Sequence, residues 1–241
     1  EDGVGSGMDA PTPDDALFED VARRYSRYNL PMWNSAQFAD GISNGSAWYA
    51  IFGSMQDWNY RYMACNDVTI ELSYAKWPAA SELPDFWDDN REAMLRYLEA
   101  VHIGVRGIVT DALTGQPVDA RVTVQGNAQP VFTDPDAGDY HRMLLPGVYT
   151  LTVQAEGYHP RTFTNLTVAA GPATRADAAL VPLGAVFDAD VNNDGVVNAV
   201  DIQLVVNDVL GLPVPVDGDI NGDGAVNAVD VQLVINAALV R

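Results

Sequence analysis

Residues 188–211, DADVNNDGVVNAVDIQLVVNDVLG, return as residues 217–240, DGDINGDGAVNAVDVQLVINAALV, with Asp190 aligned on Asp219, an offset of 29 positions. A near-identical repeat means one small supersecondary unit built twice. Each copy carries D-x-N-x-D-G-x-x-N-x-x-D. Side-chain oxygens fall at positions 1, 3, 5, 9 and 12: Asp190, Asn192, Asp194, Asn198 and Asp201, then Asp219, Asn221, Asp223, Asn227 and Asp230. Position 6 is Gly195 or Gly224, where a sharp turn favours a residue without Cβ. Position 7, Val196 or Ala225, can add a backbone carbonyl. Ca2+ is a hard cation that takes six to eight oxygens, so two calcium ions, one per loop, are expected. A short helix follows each loop, with apolar residues at helical spacing: Ile202, Val205, Val206 and Val209, then Val231, Val234, Ile235 and Ala238.

A full EF-hand has a helix before its loop, and neither copy has one. Position 12 is Asp where an EF-hand usually has Glu. Two loop–helix units of this kind resemble a type I dockerin, and the resemblance covers residues 184–241. It implies docking onto a cohesin domain of a scaffold protein, secretion to the extracellular space and a bacterial source. In dockerins, cohesin preference goes with loop positions 10 and 11, here Ala199–Val200 and Ala228–Val229. Their near identity in the two copies implies a pseudo-twofold surface able to bind in two orientations. Three plainer readings stand beside this one. The loops could be Asp-rich turns without metal, the Ala-Val pairs could serve ordinary helix packing, and the module could bind calcium without a cohesin partner.

The rest of the composition limits partners. The net charge is −20, from 33 acidic and 13 basic residues, with Lys76 the sole lysine. Nucleic acids and anionic membrane surfaces need clustered Lys and Arg, so both are excluded as expected partners. Part of the acidity belongs to the calcium loops. The remainder fits a saline environment, where screening relieves self-repulsion. Hydrophobic residues make up 48% of the chain, enough for real cores. No apolar run approaches the ~18 residues that span a bilayer. The chain starts at Glu1, and EDGVGSGMDAP does not read as the start of a domain, so it is expected to lie within a longer protein. Cys65 is the only cysteine and can form no disulfide within the chain.

Residues 103–182 read as all-β, with short alternating segments between turn signals. VRGIVTD leads into ALTGQPV. ARVTVQG places Val122 and Val124 on one face. Pro146–Gly147 turns into VYTLTVQA, where Tyr149, Leu151 and Val153 alternate with threonines, and Gly157–Tyr158 turns into RTFTNLTV. Six or seven strands in this length predict a small β-sandwich.

Residues 1–102 mix helix and strand signals. Thr12 is placed to cap a helix, with Pro13 in its first turn and Asp14 and Asp15 at its positive end. Leu17, Val21 and Tyr25 form the buried stripe. PMWNSAQFADGISNGSAWYAIFGSMQDWNY reads as a long, aromatic loop, and loops of ~30 residues are commonly functional. In VTIELS, Val68, Ile70 and Leu72 alternate with Thr69, Glu71 and Ser73, which predicts a strand. PDFWDDNREAMLRYLEAVH predicts a helix that covers the sheet with Trp87, Met94, Leu98 and Val101.

DDALFEDVARRYS, DGISNGSAWY, GSMQDWNY and TIELSYAKWP together resemble the regulatory branch of the zinc metallocarboxypeptidases, which includes carboxypeptidases D, E and N. Order and spacing agree across residues 12–102. GVRGIVTDALTGQPV, GDYHRMLLPGVYTLTVQAEGY and NLTV resemble the transthyretin-like domain that follows in that branch. The resemblance implies a water attacking the last peptide bond of a peptide or protein C-terminus. Glu71 matches the glutamate that moves the proton, and Tyr49 the tyrosine that closes over the substrate carboxylate. Gln56 matches a residue of the specificity pocket, which implies removal of C-terminal Lys or Arg. Tyr60 is read as a packing residue.

The branch holds zinc with an HxxE pair and a later histidine. Here the only histidines are His102, His141 and His159, with no HxxE, so the zinc ligands are expected upstream of this chain. The arginines that hold the substrate carboxylate are expected upstream as well. Tyr74 stands where many eukaryotic members have a paired cysteine, which leaves Cys65 free. Gly53–Ser54 replaces a double glycine. The fold expectation is therefore three-part: the C-terminal part of an α/β carboxypeptidase domain (1–102), a transthyretin-like β-sandwich (103–182) and an α-helical, EF-hand-like dockerin (184–241). The functional expectation is a secreted carboxypeptidase. A carboxypeptidase-like binding protein without catalysis, displayed through the dockerin, is the alternative.

Overall fold

The computed structural model describes residues 12–45, 53–183, 188–221 and 224–239. Among them, four helices come first: α1 (Asp15–Ser26), α2 (Leu30–Trp33), α3 (Met55–Met63) and α4 (Leu83–Glu99). Eight strands follow: β1 (Val105–Asp111), β2 (Arg121–Val124), β3 (Asn127–Phe132), β4 (Asp139–Arg142), β5 (Gly147–Gln154), β6 (Arg161–Val168), β7 (Thr174–Arg175) and β8 (Ala178–Leu180). Two helices, α5 (Ala199–Val209) and α6 (Ala228–Leu239), come last.

The strands form two sheets. One has the order β3-β2-β5-β6, and in the other β1 lies between β4 and the short β7 and β8. β1 runs antiparallel to β4, with Val105 opposite Arg142, and parallel to β7 and β8. The alternation expected from sequence holds: Val122, Leu151 and Val153 are fully buried, and Val124 nearly so, in one core with Val105 and Val109 of β1. Each such side chain stabilises the domain by roughly 1.5–3 kcal/mol on full burial. Eight strands form where six or seven were expected. β7 and β8 have two and three residues. Strands that short carry no periodicity, and β1 recruits them through tertiary pairing.

In the helical segment, Leu17, Val21 and Tyr25 of α1 are buried as expected. Leu17 and Val21 meet Ala100, Ile103 and the partly buried Tyr97, Met143 and Leu145, and the Tyr25 ring lies edge-on to Tyr97. A polar joint adds direction to this packing. Tyr25 Oη donates to Asn90 Oδ1 at 2.5 Å, Asn29 Nδ2 donates to the same oxygen at 3.0 Å, and Asn90 Nδ2 donates to Phe86 O. The helix start differs from expectation. Asp14, not Thr12, is the N-cap and makes no side-chain capping bond, and Pro13 precedes the helix. The Asp14 carboxylate is turned instead toward Arg142.

Two further expectations fail here. VTIELS forms no strand and joins no ladder among the described residues. α4 forms, but Trp87, Met94, Leu98 and Val101 point to solvent, and its buried residues are Asn90 and Ala93. The helix is apolar on two sides, and α1 takes the side that carries Asn90. A strand exists only through a neighbour's hydrogen bonds, and no described backbone offers them to residues 68–73.

The final helices pack through Val205 and Val234, both fully buried, with Ala189 beneath them. Leu233, outside the expected stripe, is buried too, while Val209 at the end of α5 is exposed. Asn221 Nδ2 donates to Ala112 O and so ties the pair to the β domain.

Candidate functional site

The long aromatic loop expected around residues 31–60 contains α2 and α3. Ser54 caps α3: Asp57 N–H donates to Ser54 Oγ at 3.0 Å, and Ser54 Oγ donates to Asp57 Oδ2 at 2.7 Å. The S-x-x-D spacing in GSMQD is a helix-start signal, and here the second bond joins the two side chains instead of reaching the Ser54 N–H. It fixes the helix start two residues before Gln56.

α3 and α4 hold the extended segment that leads to Glu71. Gln56 Nε2 donates to Asp67 O at 3.3 Å, and Thr69 Oγ1 donates to Gln56 Oε1 at 3.2 Å. Asn59 Nδ2 donates to Asp67 Oδ2 at 2.5 Å. Tyr97 Oη of α4 donates to Asn66 O, and burial, followed by the nearby Asp67, holds that hydroxyl well above its ordinary pKa and so in the donor form. Glu71 lies two residues after Thr69 and is exposed, with no hydrogen-bond or ion-pair partner among the described residues. Gln56 and Glu71 are thus linked through Thr69, a connection that sequence spacing did not reveal. Tyr49 lies outside the described residues.

Tyr60 does more than pack. It is the one buried residue of α3, and its Oη donates to Asp14 Oδ2 at 2.9 Å. Burial, then the Asp14 charge, pushes its pKa far up and keeps the proton in place.

The two C-terminal loops share one geometry. Asp190 Oδ1 and Oδ2 accept from the N–H groups of Asp194 and Gly195, and Asp219 Oδ2 accepts from Gly224 N–H. Gly195 and Gly224 have φ of 88° and 86°, the left-handed region that favours glycine. Asp201 and Asp230 at position 12 are 0% exposed. Asp201 accepts from Asn192 and Asn198 N–H, and Asp230 accepts from Ile220, Asn221 and Asn227 N–H. A fully buried carboxylate without a cation is expensive to keep charged. The donors present are carboxylate, amide and carbonyl oxygens, a set that fits Ca2+. Asp223 lies outside the described residues. Ala199, Val200 and Ala228 are exposed at the helix starts, and Val229 is half-buried.

Among the described residues no three His, Cys, Asp or Glu side chains group as a metal centre, in the two loops or elsewhere. His141 Nε2 lies 2.7 Å from Ile103 O, engaged with the backbone. The described residues therefore do not make a zinc site.

Residues 4–93 match the zinc carboxypeptidase family model, and residues 104–181 match the carboxypeptidase regulatory-like domain. These two regions are similar to part of the zinc carboxypeptidases of the D- and N-like kind and to their regulatory-like domain. Human carboxypeptidase D is 40% identical over 188 residues, which cover 73% of this chain and 14% of that protein. The human carboxypeptidase N catalytic chain is 43% identical over 175 residues, 71% of this chain and 37% of that one. The chain thus spans between 14% and 37% of the length of these two relatives. Among solved structures, a type II cohesin–X-dockerin complex from Acetivibrio cellulolyticus aligns with a TM-score of 0.27 at 18% identity, over 55% of this chain and 92% of that one. A likeness that weak carries no argument.

Proposed function

We propose that this chain belongs to a secreted bacterial peptidase that removes C-terminal Lys or Arg from peptides, and that residues 184–241 are a type I dockerin holding two calcium ions for docking onto a cohesin. The observation that carries the peptidase reading is the bracing of segment 66–69 by Gln56, Asn59 and Tyr97, which holds the backbone just ahead of Glu71. Glu71 is the group that takes a proton from the attacking water and returns it to the leaving amine. Tyr49 and Gln56 bind the substrate's carboxylate and side chain. Zinc is held in this reading by ligands outside these 241 residues, which themselves contribute substrate binding and proton transfer. The β domain, transthyretin-like in this reading, is structural.

The dockerin reading rests on the two loops with matching bonds, on buried Asp201 and Asp230, and on Ala199–Val200 and Ala228–Val229 at the helix starts. These short apolar pairs, repeated at equivalent positions, suit a contact that can be made in either of two orientations.

The two halves are tested separately. The purified 241-residue chain should release no Lys or Arg from a peptide ending in either residue, measured by free amino acid analysis. Measurable release would show the zinc ligands to be among these residues and overturn the assignment. Immobilised type I cohesins should retain the chain in calcium and release it in EGTA. Failure across a panel of cohesins from bacterial scaffolds would leave residues 184–241 as a calcium module only.

A further inference from the structure

A buried ion pair joins the helical segment to the β domain, and the peptidase reading leaves it without a role. The Asp14 carboxylate is 7% exposed and Arg142 is 3% exposed. Arg142 Nη2 donates to Asp14 Oδ1 at 2.7 Å and to Oδ2 at 2.9 Å. Asn127 Nδ2 donates to Oδ1 at 2.7 Å, and Tyr60 Oη donates to Oδ2. Donors from β3, β4 and α3 therefore converge on one carboxylate at the end of α1. Burying a pair of charges yields little net stability compared with apolar packing, so its presence points to a need for fixed geometry.

The second grip is on the backbone of α3. Gln129 Nε2 of β3, itself 3% exposed, donates to Tyr60 O at 2.8 Å and to Arg61 O at 3.4 Å. Gln56 stands four positions before Tyr60 and Asn59 one before it. The helix that the β domain holds at Tyr60 is thus the helix that holds Asp67 and Thr69 through Gln56 and Asn59. A helix turn is stiff, so a shift at Tyr60 reaches Gln56.

We propose that Asp14, Tyr60, Gln129 and Arg142 are positioning residues, through which the β domain fixes α3 and thereby the segment that presents Glu71. The role given to Glu71 rests on the peptidase reading. The mechanical link from Arg142 to Asp67 does not. The β domain then acts as the template for one edge of the active site and not only as an appended module.

Cys65, the sole cysteine, lies at the junction of α3 and this segment, its N–H bonded to Asn59 O. A nitroxide on Cys65 in the 241-residue chain reads the mobility of that junction by electron spin resonance. Tyr60→Phe removes one O–H and keeps the ring. Arg142→Met removes the charge. Both should speed label motion by about twofold or more on the nanosecond scale. Val153→Ala, which lowers stability from within the β core, should leave the label unchanged at temperatures where every variant is folded. An unchanged label in Tyr60→Phe, or an equal change in Val153→Ala, overturns the link, and if Arg142→Met does not fold, Tyr60→Phe decides alone. In the complete peptidase, Tyr60→Phe should lower kcat by about tenfold as Glu71 is displaced, with a rise in KM as Gln56 on the same helix shifts. A mobile label with unchanged kcat removes the connection to Glu71. A fully active Glu71→Gln variant would sink the role given to Glu71 while leaving the label result intact.

Discussion

Glu71→Gln in the complete peptidase should lower kcat by roughly 10²–10⁴-fold, the usual worth of general acid–base catalysis. The amide keeps the size of the side chain and most of its hydrogen bonding, but it cannot take a proton from water. The loss falls on an interaction made only in the transition state, so kcat and kcat/KM should drop together. Tyr49→Phe is expected to act differently. It removes one hydrogen bond to the bound substrate's carboxylate and should mostly raise KM, by about tenfold for ~1.4 kcal/mol. Steady-state kinetics of both variants on one peptide ending in Arg, at fixed pH, separate the two roles. Near wild-type kcat in Glu71→Gln would show that TIELS has been placed in the wrong register.

The two loop–helix units, the alternating strands of 103–182 and the α1 stripe were legible because each depends on local spacing. Val122 and Val124, or Leu151 and Val153, need only their own period to declare an inward face. What was illegible depends on neighbours. VTIELS has a strand's alternation, but alternation states a preference that only a paired backbone can realise. α4 has apolar residues on two sides, and periodicity could not say that Asn90, polar and central, marks the side that packs on α1. Asn90 is there to receive Tyr25 and Asn29, which lie 65 and 61 positions away. The Asp14–Arg142 pair spans 128 positions and leaves no local trace. Asp14 was legible only as a helix-start acid, and Tyr60 only as an aromatic near a functional motif. The start of α3 is different in kind, since the S-x-x-D signal at Ser54 was present and was obscured by the aromatic and Gly-rich run around it.

Removal of calcium should unfold residues 184–241. Nine of these residues are Asp, and Arg241 is the only basic one, so the folded module concentrates negative charge without internal compensation. The half-buried Asp190 and the exposed Asp194 repel one another only weakly through water and salt. Asp201 and Asp230 are the decisive groups, because both are 0% exposed and accept from backbone N–H donors, with no lysine, arginine or histidine against them among the described residues. A divalent ion in each loop would neutralise them, and its binding free energy would become folding free energy because the unfolded chain has no such site. Calcium at one hundred times its dissociation constant contributes about 2.7 kcal/mol per site. In a unit of this size each site's share corresponds to a rise in melting temperature on the order of 10–20 °C. Asp190→Ala combined with Asp219→Ala removes a first-position carboxylate from each loop and should abolish the rise, while the β domain, with its separate core, keeps its own transition. Differential scanning calorimetry of the whole chain, with calcium and then with EGTA, measures both transitions at once. If EGTA leaves every transition of the wild-type chain in place, the loops are metal-free turns, and the buried aspartates are sustained by their backbone hydrogen bonds alone.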